Sequence, residues 1–488
     1  MEKKQHSVRY NFIMNFILTT SQFLFPLITF PYISRVLLAT GNGKVTFVAS
    51  VANYFMMVAS LGIPTYGIRA CAQVRDDKDK LSKTAQEIFL INLVMTLLVC
   101  ITYVICLYTV PRFQADRTLF WINGINIILN MFGINWLFQA LEQYDYITIR
   151  SIIFKMISVI LMFLLVHEET DYVIYGAITV FAAVGSNVLN FIRVHRFIEW
   201  KVYNSYDLKR HMKPILILFA QSLAISIYTN LDTIMLGFIK TDTDVGYYNA
   251  AVKIKTILLS LVTSLGNVLL PRMSYYAEKK EIRAFKEMTL KALNFTVLMS
   301  IPLTLYFAMF AEESIEFLAG PGYTGAILTM QIITMAIIPG GITGVLGIQV
   351  LTALEKEKYV LYSVSIGAIV DFILNLLFIY PLGAAGAALA TVLAEIMVLI
   401  VQVIYTKDLL LELKKGFRAH IYLMIAIVSM LCSWSIKYIT IESIFMKLVL
   451  SSLIFFGIYG LGLIISKEEV AMEVLNGVLR KIKLKKRS

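Results

Sequence analysis

Charge is scarce in this sequence. Only 16% of its 488 residues are Asp, Glu, Lys or Arg, while 58% are hydrophobic. Soluble globules carry about 25% charged and 45–50% apolar residues, so an ordinary soluble domain is excluded. Cysteine is scarce too. Cys71, Cys100, Cys106 and Cys432 lie in or at the ends of apolar runs, and none forms a CxxC pair. That excludes a disulfide framework or a thiolate metal site and predicts small buried hydrophobes. The five histidines, His6, His167, His195, His211 and His420, fall at loops or helix ends, with none placed for a buried relay. No G-x-x-x-x-G-K-[ST] loop is present, so this chain does not hydrolyse ATP. H-E-x-x-H and G-x-S-x-G are also missing, and the predicted outer loops are too short to hold a sugar with acid–base groups. The expectation is a protein that is not an enzyme.

What the sequence does have is apolar runs of bilayer-spanning length. About fourteen occur: 11–37, 45–70, 85–110, 118–140, 150–166, 172–192, 214–239, 246–270, 287–310, 324–352, 359–380, 383–405, 419–439 and 444–465. The first follows a basic start, MEKKQHSVR, is too long for a signal-peptide core and has no small-residue cleavage site, so it reads as a retained helix. The net charge of +12 is a topology signal and not a nucleic-acid footprint. With the N-terminus inside, 32 Lys and Arg fall in inner segments and five in outer ones, Lys44, Arg112, Arg117, Lys240 and Lys437. This bias puts both termini inside. The acidic segments HEETD (167–171) and AEESIE (311–316) fall outside.

The chain looks duplicated. Leu141-Glu142 in FQALEQYDY matches Leu354-Glu355 in LTALEKEKY; Tyr175-Gly176-Ala177 matches Ala385-Gly386-Ala387; Gly43 and Gly246 precede the second and eighth runs. These matches keep one order at near-constant spacing, so six helices repeat as six, related by an axis along the membrane normal. The predicted domains are an N-lobe at 1–212 (helices 1–6), a C-lobe at 213–405 (helices 7–12), and 406–488 with helices 13–14 and a basic cytoplasmic tail. Residues 193–213 join the lobes as a basic interfacial linker. In the tail, Val470, Val474, Leu475, Val478 and Ile482 fall at helical spacing among cations, which fits the anionic inner leaflet.

FPLITFPYISRVL (25–37) and LGIPTYGIRACAQVRDDKDKLSK (61–83) closely resemble the start of Wzx-type polysaccharide flippases. These form the polysaccharide transporter branch of the superfamily that also holds drug antiporters and the peptidoglycan precursor flippase. YTNLDTIMLGFI (228–239) with DVGYYNAAVKI (244–254) resembles the start of that family's second half. The resemblance implies an all-α integral membrane protein of the bacterial cytoplasmic membrane, with two pseudo-symmetric six-helix lobes in a V around a central cavity plus two further helices. It implies a cargo, an undecaprenyl-pyrophosphate-linked oligosaccharide repeat unit moved from the inner to the outer leaflet for capsule, O-antigen or exopolysaccharide synthesis. A polysaccharide polymerase and a chain-length regulator are implied as partners. No cofactor is obligatory, with Na⁺ or H⁺ as the coupling ion.

Seven cations remain inside the predicted spans: Arg35, Arg69, Lys155, Lys253, Lys255, Lys291 and Lys447. A charge at the bilayer centre costs at least about 2.5–3.5 kcal/mol, and long side chains near helix ends avoid this by snorkelling. Arg69, Lys155, Lys291 and Lys447 are expected near helix ends. Arg35 near the outer end of helix 1, and Lys253 and Lys255 about 10–14 Å into helix 8, are the expected pyrophosphate ligands, with Arg69 as a further candidate. Their structural alternatives are an Asp232–Lys253 pair and an outward-snorkelling Arg35.

Two acids lie deeper. Asp371 with Asn375, and Glu395 with Thr391, each share a helix face at four-residue spacing. Their oxygens suit a hard cation or a proton, or else a hydrogen-bonded clamp between helices. In the peptidoglycan precursor flippases a sodium site lies between helices 7, 11 and 12, so the resemblance implies that Asp232 joins these four. Pro26, Pro31, Pro339 and Gly340 are candidate hinges, because proline removes helix hydrogen bonds and the freed carbonyls are tolerated beside protein or a wet cavity. Two rival readings share the architecture: a drug or organic-cation antiporter, which would favour an acidic, aromatic pocket, and a teichoic- or teichuronic-acid precursor flippase.

Overall fold

The structure, a computed structural model, describes residues 8–439, 441–468 and 472. The predicted amphipathic tail at 470–482 lies outside them, apart from Met472. Contacts divide the chain into two compact units, Met1–Gly246 and Tyr247–Ser488. The first contains α1 (Val8–Ser60), α2 (Ile63–Ala72), α3 (Lys78–Thr109), α4 (Pro111–Ala115), α5 (Arg117–Gly133), α6 (Asn135–Ala140), α7 (Tyr144–Leu165), α8 (Tyr172–Val180), α9 (Asn187–Val194) and α10 (Lys209–Ile239). The division falls inside α11 (Asp242–Glu278). Then follow α12 (Ile282–Met309), α13 (Ala311–Ala319), α14 (Ala326–Ile333), α15 (Ile337–Thr343), α16 (Glu357–Leu382), α17 (Ala384–Leu413), α18 (Ala419–Trp434) and α19 (Ile444–Ile465). Among the described residues there is no strand.

Each predicted apolar run lies on helix, but the count of fourteen spans is not established. Among the described residues ten helices are long and apolar enough to cross a membrane, or up to twelve if each of two bent pairs is one span. The reason is local. The first run ends where the non-helical Leu38 (φ 54°, ψ −172°) kinks α1, and the second run continues from α1 into α2. The fourth is divided at Ile134 (φ 43°) into the 17-residue α5 and the six-residue α6.

Alongside a buried apolar core, several helices bury polar side chains and expose large apolar ones. On α3, Asn92 and Thr96 are buried while Leu97, Leu98 and Ile101 are exposed. On α16 the buried positions Ser363, Gly367, Asp371, Asn375 and Ile379 recur every four residues, and Ile369, Ile373, Leu376 and Leu377 are exposed. Hydrocarbon offers no hydrogen bonds, so polar groups turn inward and apolar ones face lipid. The protein is a multi-pass membrane protein.

The internal repeat is visible in the backbone. Glu142 (φ 57°) and Glu355 (φ 56°) are both left-handed. In each case the following N–H bonds five residues back, Gln143 to Phe138 and Lys356 to Leu351, and the glutamate N–H bonds three back, to Gln139 and Thr352. Both are Schellman-type helix ends, built at matching places in the two halves. The linker after α9 also has defined contacts. Ser82 Oγ of α3 accepts from Glu199 N, Gln86 Nε2 donates to Glu199 O, and Tyr206 O–H donates to Gln86 Oε1. Lys78–Glu199 and Lys201–Asp79 ion pairs hold the same segment on the first turns of α3.

Candidate functional site

In the second unit the polar groups gather where α16 meets α17. A single residue, Gly383 (φ 56°), joins the two helices, which pack along their length. Gln402 Nε2 of α17 donates to Ser363 Oγ of α16 at 3.2 Å. Further along α16, Asp371 is 1% exposed and Asn375 is fully buried. On α17, Thr391 Oγ1 donates to the Ala387 carbonyl (3.0 Å), so the Tyr248 hydroxyl of α11, 3.0 Å away, donates to Thr391. Glu395 is half-buried, and its Oε2 lies 3.6 Å from where a Cβ on Gly340 would stand. The predicted coupling residues of this unit, Asp371, Asn375, Thr391 and Glu395, therefore sit on two paired helices, with Glu395 against the predicted hinge of α15. None is without a partner. The donor set is carboxylate, amide and hydroxyl oxygen, which suits a proton or hard cation. Among the described residues no three His, Cys, Asp or Glu converge to hold a metal, so any ion here would use the amide and hydroxyl oxygens as well.

Sequence reasoning missed Tyr248. It sits in the quoted stretch DVGYYNAAVKI, is 4% exposed and reaches α17 through its hydroxyl. A Tyr in an apolar run five residues before Lys253 was the available signal. Lys253 and Lys255 are half-buried on α11. That helix begins at Asp242, four residues before the predicted run, so these lysines lie roughly 17 and 20 Å along it, deeper than expected.

The run from 324 to 352 is irregular. After α14 come a tight turn at Thr334–Ala336, α15 with Pro339 and Gly340, and a wide π-type stretch at Gly344–Leu351. Such stretches recur at functional sites.

In the first unit, Arg35 is exposed, three residues before the Leu38 break, and its Nη1 donates to the Pro31 carbonyl at 2.6 Å. Pro26 and Pro31 lie within helical α1, and the non-helical backbone is at Leu38. Arg69 is exposed in the last turn of α2. Asp232 is 3% exposed, on the α10 segment that follows a 56° bend.

Three expectations need correction. Lys155 stands at the middle of α7, not near its end, and donates to the buried Ser21 Oγ at 2.8 Å; pairing replaces snorkelling because neither end is in reach. Of the cysteines only Cys71 is buried, and Cys432 is exposed. His211 is placed in a buried relay. It is 2% exposed, although it lies in the first turn of α10. Its Nε2 is 2.9 Å from Glu87 Oε2 and its Nδ1 2.7 Å from the Tyr66 hydroxyl. A carboxylate only accepts, so Nε2 carries the proton, and in the neutral ring Nδ1 accepts from Tyr66. Arg210 and the Asp207 N–H complete the shell of Glu87. Removing Glu87 leaves the buried His211 Nε2–H without its acceptor, and an unsatisfied buried donor costs about 1–3 kcal/mol. Glu87→Ala is therefore expected to lower the thermal midpoint of the purified protein sharply, with Glu87→Gln between it and wild type.

The glycines that marked the repeat also meet within this unit. A Cβ on Gly43 would fall 1.7 Å from the Asp242 carbonyl oxygen, and one on Gly246 2.0 Å from that of Ala39. Thr40 and Thr243 hydroxyls lie 2.9 Å apart beside them. Arg112 pairs with Asp242, and Lys44 with Asp116 at 3.3 Å. Gly43→Val is expected to reduce the yield of folded protein, whereas Gly457→Val, with open space around it, is tolerated; size-exclusion profiles compare them.

Residues 8–277 match the family described as polysaccharide biosynthesis protein. The chain belongs to this family. Residues 218–377 also match the MatE family. Over 415 residues this family member is 26% identical to a protein of Escherichia coli strain K12 named "Putative O-antigen transporter", covering 84% of this chain and 99% of that one. Its fold matches an inward-closed structure of the lipid II flippase MurJ at TM-score 0.75 and 15% identity, over 94% of this chain and all of the other. An inward-facing multidrug resistance MATE transporter matches at TM-score 0.63 and 12% identity, over 80% and 96%. The fold is that of the MurJ and MATE transporters.

Proposed function

We propose that this chain is a flippase that carries undecaprenyl-pyrophosphate-linked oligosaccharide repeat units from the inner to the outer leaflet of a bacterial cytoplasmic membrane, for capsule, O-antigen or exopolysaccharide synthesis. The observation that carries the reading is the near full-length similarity to a protein named an O-antigen transporter. The membrane-helix cations agree with it: Arg35 and Arg69 in the first unit, Lys253 and Lys255 in the second, are assigned to phosphate or sugar. Asp371, Asn375, Thr391 and Glu395 are assigned to Na⁺ or H⁺ coupling, Asp232 to the same task, and Pro26, Pro31, Pro339 and Gly340 to hinge motion in alternating access. The functional halves are taken as 1–212 and 213–405, with 406–488 appended. A polymerase and a chain-length regulator would take the product onward, and this chain itself breaks no covalent bond. Deleting the gene should abolish surface polysaccharide and accumulate lipid-linked repeat units; restored polymer with the cations all neutralised would sink the reading.

The MatE match supports one second reading, a drug or organic-cation antiporter. Membrane-helix cations repel such cargo. Drug resistance unchanged by deletion, alongside lost polysaccharide, separates the two.

Orientation is testable at single cysteines. Asp77→Cys, Lys201→Cys and Lys280→Cys are expected to label only from inside, and Glu169→Cys, Thr241→Cys and Gly322→Cys only from outside. Thr241 and Gly322 are exposed, whereas neighbouring Asp242 is ion-paired and Gly320 is buried at φ 92°. One reversed pair breaks the assigned topology.

A further inference from the structure

A cavity of about 510 Å³ lies in the second unit where α11 ends, α12 begins, and α17 turns into α18. Its walls include Lys291, Lys415 and Arg418, with Tyr276, Asn294 and Leu290. We propose that this cavity holds the phosphodiester headgroup of an anionic phospholipid of the surrounding bilayer.

The argument begins with charge. Three cations share the cavity with one carboxylate, Glu287, and that carboxylate accepts from Arg283 Nε at 3.0 Å. The cavity therefore carries an excess of positive charge. Next comes rigidity. Asn294 Nδ2 donates to the Gly416 carbonyl at 2.9 Å, and Arg418 N donates to Asn294 Oδ1 at 3.1 Å. One amide thus clamps the turn from both sides, and Lys415 and Arg418 are presented from fixed backbone. A guanidinium fork and flanking ammonium groups match phosphate oxygens.

Depth supplies the lipid. Lys291 is nine residues past the start of α12, about 14 Å along its axis, which puts its head near the edge of the hydrocarbon. Met288 and Leu290 line the same space. A free phosphate has no use for an apolar wall, whereas the glycerol and first methylenes of a phospholipid do. Basic pockets between membrane helices on the cytoplasmic side bind such headgroups. The charge bias assigns these turns to the inside, the anionic leaflet. The proposal is independent of what the protein transports.

The test uses full-length purified protein and native mass spectrometry with cardiolipin, phosphatidylglycerol and phosphatidylcholine. Wild type is expected to retain the two anionic lipids and not phosphatidylcholine. The Lys415→Gln/Arg418→Gln variant should lose anionic lipid affinity by at least about tenfold. Lys356→Gln/Lys358→Gln, which removes two cations outside the cavity, should not. A matching size-exclusion profile shows that the cavity variant is folded; if it does not purify, Lys291→Gln carries the same titration. Equal retention by wild type and variant overturns the proposal. Displacement of cardiolipin from wild type by an equimolar polyprenyl pyrophosphate also overturns it, because the cavity then belongs to a pyrophosphate-bearing lipid.

Discussion

Arg35→Ala is expected to abolish surface polysaccharide while leaving the protein in the membrane at wild-type amount. Arg35 occupies an exposed position beside the Leu38 break, and its Nη1 donates to the Pro31 carbonyl. A hydrogen bond to a charged group contributes about 1.5–3 kcal/mol, so losing one weakens cargo binding on the order of 10- to 150-fold. Arg35→Lys keeps the charge and loses the planar fork, so partial rescue is the expected result. Immunoblotting of membranes and quantification of surface polymer in a deletion strain read both. Wild-type polymer in the Arg35→Ala strain would reduce Arg35 to a snorkelling anchor. Lys253→Gln and Lys255→Gln face the same assay, each with a smaller expected loss because two ammonium groups share the helix.

The second large effect is expected in energy coupling. Asp371→Asn and Glu395→Gln should slow outward movement of lipid-linked oligosaccharide in reconstituted vesicles and weaken its dependence on an imposed Na⁺ or H⁺ gradient. Asp371 is buried at mid-helix, and Glu395 Oε2 lies beside Gly340 of the α15 hinge region. An ion that binds one conformation better shifts the population toward it, typically by about 1–3 kcal/mol of coupling. Tyr248→Phe removes the hydroxyl that donates to Thr391, and should weaken coupling with less effect on the maximal rate. Asp232→Asn, in the other unit, is scored separately. If wild type ignores both gradients, these carboxylates are a structural clamp.

The architecture was legible because its causes are local. Run length against bilayer thickness puts the apolar runs on helix without fixing the number of spans, and the paired ALE stretches marked helix ends that prove equivalent down to the left-handed Glu142 and Glu355. Four-residue spacing put Asp371 with Asn375 and Thr391 with Glu395 on common faces, and that is where they lie. The end of the first apolar run at Leu37 did mark a real break, because Leu38 is the non-helical residue of α1. Long-range pairing was not legible. His211 seemed a loop histidine because its partners, Tyr66 and Glu87, are 145 and 124 residues away. Lys155 was misjudged because α7 starts six residues before the apolar run that contains it. Tyr248 is one tyrosine among 26, and only the packing of α11 on α17 distinguishes it.

The central claim is lipid-linked oligosaccharide translocation, and the direct measurement is leaflet exchange in proteoliposomes. Vesicles carrying the purified protein and a polyprenyl-pyrophosphate oligosaccharide are probed with a membrane-impermeant glycosidase. Cargo loaded in one leaflet is expected to become accessible in the other at a rate proportional to protein content, lost in the Arg35→Ala protein. Accessibility that matches protein-free vesicles, with a fluorescent organic cation moving instead, would contradict the account.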